Sequence, residues 1–129
     1  MNTPSSTRAY READILAASP GRLVVITFDG MIASLLRARA GMLAANYDVT
    51  LPAMDRARAF VGELLGALNH ENGGDLAGRL SAIYVFVLSE LQTLTRTRDV
   101  ERLDAIISLM RELRDAFAEI ASAPRSAVA

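Results

Sequence analysis

The 129-residue chain contains no cysteine, no lysine and no tryptophan, and only one histidine. The missing cysteines exclude disulfides and thiolate metal ligands, and they suit a reducing compartment. A lone His70, beside Glu71, cannot assemble a multi-histidine metal site, and any Ser-His-Asp triad would have to use it without a G-x-S-x-G elbow. His70 reads instead as a solvated residue at the end of the second helix, interacting with the helix dipole. The phosphate cradles G-x-x-x-x-G-K-S/T and G-x-G-x-x-G are both missing. No apolar run approaches the roughly 20 residues of a spanning helix, and the opening MNTPSSTR is too polar for a secretion signal. A net charge of -1 makes no electrostatic case for nucleic acid or an acidic membrane. These absences predict a cytoplasmic protein with no cofactor, no metal, no nucleic-acid partner and no stable membrane insertion. That all 14 basic residues are arginine carries no functional weight.

A hydrophobic fraction of 51% and a charged fraction of 22% are those of a packed globular protein, and the length suits one domain. Glycine and proline punctuation separates a polar arm (1–18) from four segments with helical period. The first begins at Ser19-Pro20, a cap followed by proline, and runs to about Ala45. The second begins near Pro52 and ends near Asn69. A turn at Asn72-Gly73-Gly74-Asp75 opens the third at Asp75, which continues to about Thr95, and the fourth covers about 99–121. The remainder, 122–129, reads as a flexible tail. In the fourth segment Leu103, Ile106, Ile107, Met110, Leu113, Phe117 and Ile120 form one stripe at about 100° per residue. The third aligns Leu80, Tyr84, Val87, Leu88 and Leu91, and the second Met54, Ala57, Val61, Leu64, Leu65 and Leu68. The expected fold is all-α, an antiparallel four-helix bundle with an N-terminal arm.

Certain residues exceed what such a core needs. The first helix builds its stripe from Val24, Val25, Phe28, Met31, Ile32, Leu35, Met42 and Leu43. Leu23 and Ile26 point elsewhere, beside Gly30 and Ala33, making an apolar patch with a bare spot where another backbone could approach. Phe86 lies about 160° from Tyr84, on the face expected to be wet. Gly62 and Gly66, with Ala59, occupy the outer flank of the second helix, each glycine costing roughly 1 kcal/mol relative to alanine, which suggests a close neighbour. The arm carries unplaced apolar residues, Tyr10, Ile15 and Leu16, that could cover Leu23 and Ile26. Together the irregularities favour a surface that receives another chain. Arg39 and Arg114 fall inside apolar stripes, which leaves two readings open: a small all-α enzyme binding a dianion, or structural arginines, either snorkelled stems or pairs with acids such as Asp29 or Asp115.

The order and spacing of several short elements resemble a known family, the flagellin export chaperones of the FliS type, from about Ala9 to Ile120. The elements are Ala9-Tyr10, the Ser19-Pro20-Gly21 start with Leu23, Phe28-Asp29-Gly30, Leu68-Asn69, Gly73-Gly74, Leu76-Ala77, Tyr84 with Phe86, and Leu113-Arg114-Asp115-Ala116. Phe28 stands where the family usually has Tyr, and Phe117 where it usually has Trp. The resemblance implies a non-enzymatic chaperone that binds the disordered C-terminal segment of flagellin in the cytoplasm. It would prevent premature polymerisation and assist delivery to the flagellar type III export gate, itself a possible partner. Client contacts are then expected at Tyr10, Leu23, Ile26, Gly62, Gly66 and Phe86. A chaperone or adaptor for another secreted or regulatory partner is the alternative, with the dianion-binding enzyme further off.

Overall fold

The computed structural model describes residues 20–122, and within them the chain forms four α-helices and no strand. They are α1 (Pro20–Leu43), α2 (Tyr47–Gly66), α3 (His70–Thr97) and α4 (Val100–Ala121). Short connections force successive helices antiparallel, giving the expected bundle. The α1 backbone lies closest to α2 and α4, and α3 packs mainly on α2; the backbones of α3 and α4 stand further apart.

Local chemistry sets each helix end. At the end of α1 the Asn46 N–H donates to the Gly41 carbonyl (2.8 Å) and the Ala45 N–H to that of Met42 (3.1 Å). This is a Schellman closure, and it holds Ala45 in the left-handed region at φ 52°. Asn46 then takes the N-cap position of α2, its carbonyl accepting the Thr50 N–H at 3.1 Å without a side-chain cap, and the helix starts five residues before Pro52. The proline is no start signal: it sits in the second turn, where its missing N–H deprives only the carbonyl of the exposed Asp48. His70 opens α3 instead of closing α2, so it stands at a helix N-terminus and not at the expected C-terminus; the residue is exposed. Gly74 (φ 51°, ψ -129°) breaks α3 after one turn, in a conformation that a side chain would strain, and the regular helix runs from Asp75. Asp99 caps α4 by accepting the Arg102 N–H at 3.2 Å.

The core is a continuous cluster. It comprises Phe28, Met31, Ile32, Leu35, Ala38 and Met42 of α1, with Ala53, Met54, Ala57, Val61 and Leu64 of α2. From α3 come Leu80, Tyr84, Val87, Leu91 and Leu94, and from α4 Leu103, Ile106, Ile107 and Met110. The helical stripes are thus the buried faces. They overreach at the ends, where Leu43 is 62% and Ile120 70% exposed.

Two short motifs from distant parts of the chain prove to be partners. Phe28 stacks on Phe117 (centroids 5.6 Å apart) and meets Tyr84 at a tilt (6.4 Å), while Arg114 Nε donates to Asp29 at 2.8 Å. Burial of Tyr84 pushes its phenol up to about 12 by desolvation. The Arg39 guanidinium engages Asp104 through two donors (2.6 and 3.3 Å). Arg39 and Arg114, the two arginines that could have served a dianion, are therefore both engaged by carboxylates that bridge α1 and α4. Their acid partners raise their already high pKa further.

Candidate functional site

The bundle closes its seams unequally. Arg39–Asp104 and Arg114–Asp29 span α1 and α4, Arg58 donates to Thr95 Oγ1 across α2 and α3 (2.8 Å), and Arg102 pairs with Glu90 across α3 and α4. A hollow of about 300 Å³ lies beside the Arg39–Asp104 clasp, and between α1 and α2, where no such clasp crosses among the described residues, runs a groove. Its upper hollow, about 210 Å³, is lined by Leu23, Val24, Thr27, Glu63, Leu64 and Ala67. A larger hollow of about 580 Å³ follows toward the α1–α2 connection, walled by Gly30, Ala33, Ser34, Pro52 and Phe60 and flanked by Arg37 and Arg56.

Helical spacing explains why these side chains meet. Leu23, Ile26, Gly30, Ala33 and Arg37 recur at three and four residues, which sets them along one ridge of α1 about 21 Å long. On α2 the opposing wall is Ala67, Glu63, Phe60 and Arg56 at the same spacings, and the two run antiparallel. The bare spot at Gly30 is filled from within the chain. A Cβ there would lie 2.6 Å from Phe60 Cζ, so the glycine admits the Phe60 ring and no foreign backbone. That ring separates the two hollows. Lower down, Gly41 gives the same service to Thr50, whose hydroxyl donates to the Asn46 carbonyl at 3.1 Å. The Ser34 hydroxyl turns back to the Gly30 carbonyl (3.0 Å), leaving no unpaired polar side-chain atom buried among the described residues.

The expected contact residues divide into groups. Leu23 and Ile26 are 36% and 44% exposed on the upper α1 ridge. Gly62 and Gly66 stand beside Glu63 and Ala67 on the outer flank of α2, with nothing within 4 Å of where a Cβ would be. The close neighbour that their cost suggested is therefore not supplied by the described part of the chain. Phe86, 53% exposed, belongs elsewhere. It lies one turn before Glu90, whose pairing with Arg102 fixes that flank of α3 as the one turned toward α4. Tyr10, together with Ile15 and Leu16, lies outside the described residues.

Phe60, Arg37 and Arg56 were not singled out by sequence reasoning. Phe60 reads as one more apolar residue beside the α2 stripe, and the arginines as solvated surface. The only available signal was Gly30 in mid-helix, a hole that had to face something.

Comparison with known proteins gives the family. A model described as "Flagellar protein FliS" matches residues 2–124. The chain belongs to the FliS family. A flagellar secretion chaperone FliS of Vibrio cholerae is 29% identical over 119 residues, covering 89% of this chain and 88% of the relative. The proteins of the same name from Salmonella typhimurium and Escherichia coli K12 are each 27% identical; the alignments cover 93% of both chains in the first case, and 96% of this chain and 95% of the relative in the second. Membership in this FliS family gives the Phe28-Asp29-Gly30 and Arg114-to-Phe117 elements a physical meaning. They are the two halves of one α1–α4 clasp, and Gly30 on the opposite side of α1 seats Phe60. No helix among the described residues is long and apolar enough to cross a membrane.

Proposed function

We propose that this FliS-family protein is a flagellar secretion chaperone whose client is the disordered C-terminal segment of flagellin. In this reading it acts in the cytoplasm, without catalysis. The observation that carries the reading is the α1–α2 groove on a bundle of this family: a furrow about 21 Å long, apolar at one end and, among the described residues, crossed by none of the side-chain hydrogen bonds or ion pairs that span the other seams. Such a furrow suits a client helix or extended segment that folds as it binds, its ordering entropy offsetting much of a large apolar contact.

Holding that segment would keep flagellin from polymerising early and present it for type III export, with the export gate as a second partner. The contact set is Leu23 and Ile26 on α1, Gly62 and Gly66 on the α2 flank, Phe86 as an outlying contact of a client that wraps the bundle, and Tyr10 in the arm. The organisation proposed is an arm at 1–18, a bundle at 19–121 and a tail at 122–129, with the arm covering Leu23 and Ile26 when no client is bound. The test is size-exclusion co-purification with full-length flagellin and with flagellin lacking its C-terminal segment. A stoichiometric complex with the first alone is expected; no complex with either refutes the reading.

A further inference from the structure

The α1–α2 groove carries a charge pattern that the fold does not use. Arg37 from α1 and Arg56 from α2 flank one hollow, and neither has an ion-pair or hydrogen-bond partner among the described residues. By contrast Arg39, Arg58, Arg102 and Arg114 are each engaged by a carboxylate. Two guanidinium groups facing one cavity repel each other, and the bundle gains nothing from the pairing. At the opposite end of the groove stands Glu63, also without an ion-pair partner among the described residues. The groove is therefore polarised along its length, acidic beside the upper apolar hollow and doubly cationic toward the helix connection.

We propose that the α1–α2 groove reads an acidic side chain of the client segment, clamped between Arg37 and Arg56, with an apolar side chain of the same segment seated in the hollow of Leu23, Val24 and Leu64. This rests on the reading of the groove as the client's seat. From the middle of the upper hollow to Arg37 is about 12 residues of α1, or about 18 Å. The client's apolar anchor and its acid thus stand about 12 residues apart if it is helical and about five or six if extended. The planar fork of each guanidinium suits a carboxylate, and the Phe60 ring between the two hollows supplies an apolar floor for the stretch that joins them. Glu63 repels a client laid in the opposite sense, so the charges select direction as well as partner.

The test uses two synthetic amphipathic peptides of the same leucine- and alanine-rich sequence, one with a glutamate about 12 residues from its leucine anchor and its twin with glutamine there. Binding to the full chain is followed by fluorescence anisotropy at low and high salt. The glutamate peptide is expected to bind about five- to tenfold tighter. The difference should shrink with salt and vanish in the Arg37→Gln/Arg56→Gln variant, whose thermal unfolding serves as the folding control. Equal binding of the twins, or binding of neither, overturns the proposal. Coupling of Arg37→Gln to Glu12→Gln in the chain's own arm, without discrimination between the twins, assigns the cations to the arm and also overturns it. The same variant is assayed against flagellin. Wild type and variant that both bind flagellin, and equally tightly, refute the clamp while leaving the client reading intact. Discrimination between the twins without any flagellin binding refutes the client reading and keeps the clamp.

Discussion

Replacing Gly62 and Gly41 by alanine, one at a time, separates glycines kept for packing from glycines kept for something outside the fold. Both sit inside helices, where alanine is favoured over glycine by about 1 kcal/mol. At Gly62 nothing lies within 4 Å of the added Cβ, so the whole propensity gain is realised. Gly62→Ala should raise unfolding stability by about 1 kcal/mol and the melting temperature by about 4 °C. At Gly41 the new Cβ would collide with Thr50 Oγ1 and lie 3.0 Å from both the Asn46 carbonyl oxygen and the Thr50 nitrogen. Thr50 is 1% exposed and its hydroxyl is committed to Asn46, so the first turn of α2 has to move. Overpacking of that kind costs about 1–3 kcal/mol, which outweighs the propensity gain and leaves Gly41→Ala less stable by about 1 kcal/mol. Urea unfolding followed by circular dichroism, with the midpoints compared at equal slope, reads both values. A destabilised Gly62→Ala, or a Gly41→Ala stabilised as much as Gly62→Ala, would refute the packing argument. If the outer flank of α2 also contacts the client, Gly62→Ala should bind flagellin more weakly while being the more stable protein.

Further outcomes follow from the same geometry. Tyr84 should make the bundle sensitive to alkali: its folded pKa of about 12 exceeds that of the unfolded chain, near 10. Its contribution, about 2 kcal/mol, is complete below pH 10 and lost as pH rises from about 10 to 12, so urea midpoints should fall over that window in wild type and fall less in Tyr84→Phe. Ala45→Gly should stabilise by about 0.5–1 kcal/mol in the same assay, because Ala45 holds a left-handed conformation that glycine adopts without strain. Phe60→Ala should destabilise by about 2 kcal/mol, and adding Gly30→Ala in that background should recover about 1 kcal/mol, since the atom it would collide with is gone. A second-site gain of similar size in wild type would show that Phe60 does not rest on Gly30.

Much of the bundle was legible because helical period is a local property. The stripe from Leu103 to Met110 needed only its spacing to be read as buried, and the Gly73-Gly74 turn is written in a residue type with few alternative uses. Legibility failed where a residue type has two uses. Pro52 suits a helix start or a tolerated second turn, and only the Asn46 cap, itself held by the α1 closure, decides between them. The bare spot at Gly30 was visible in the sequence, but its occupant was not, because Phe60 lies 30 positions away and reaches it only once α1 and α2 are in register. The same holds for the arginines. Helical position sets Arg39 and Arg114 apart as arginines within the stripes, but it does not show that they are clasped by Asp104 and Asp29 while Arg37 and Arg56 face a hollow with no acid partner among the described residues. By itself, then, the sequence determined the helices, their buried faces and the family, since periodicity, caps and motif order are carried along one chain direction. The tertiary structure alone decided which charges are paired, which glycines are filled and where the groove runs, because each of these depends on what a second helix brings to the same point in space.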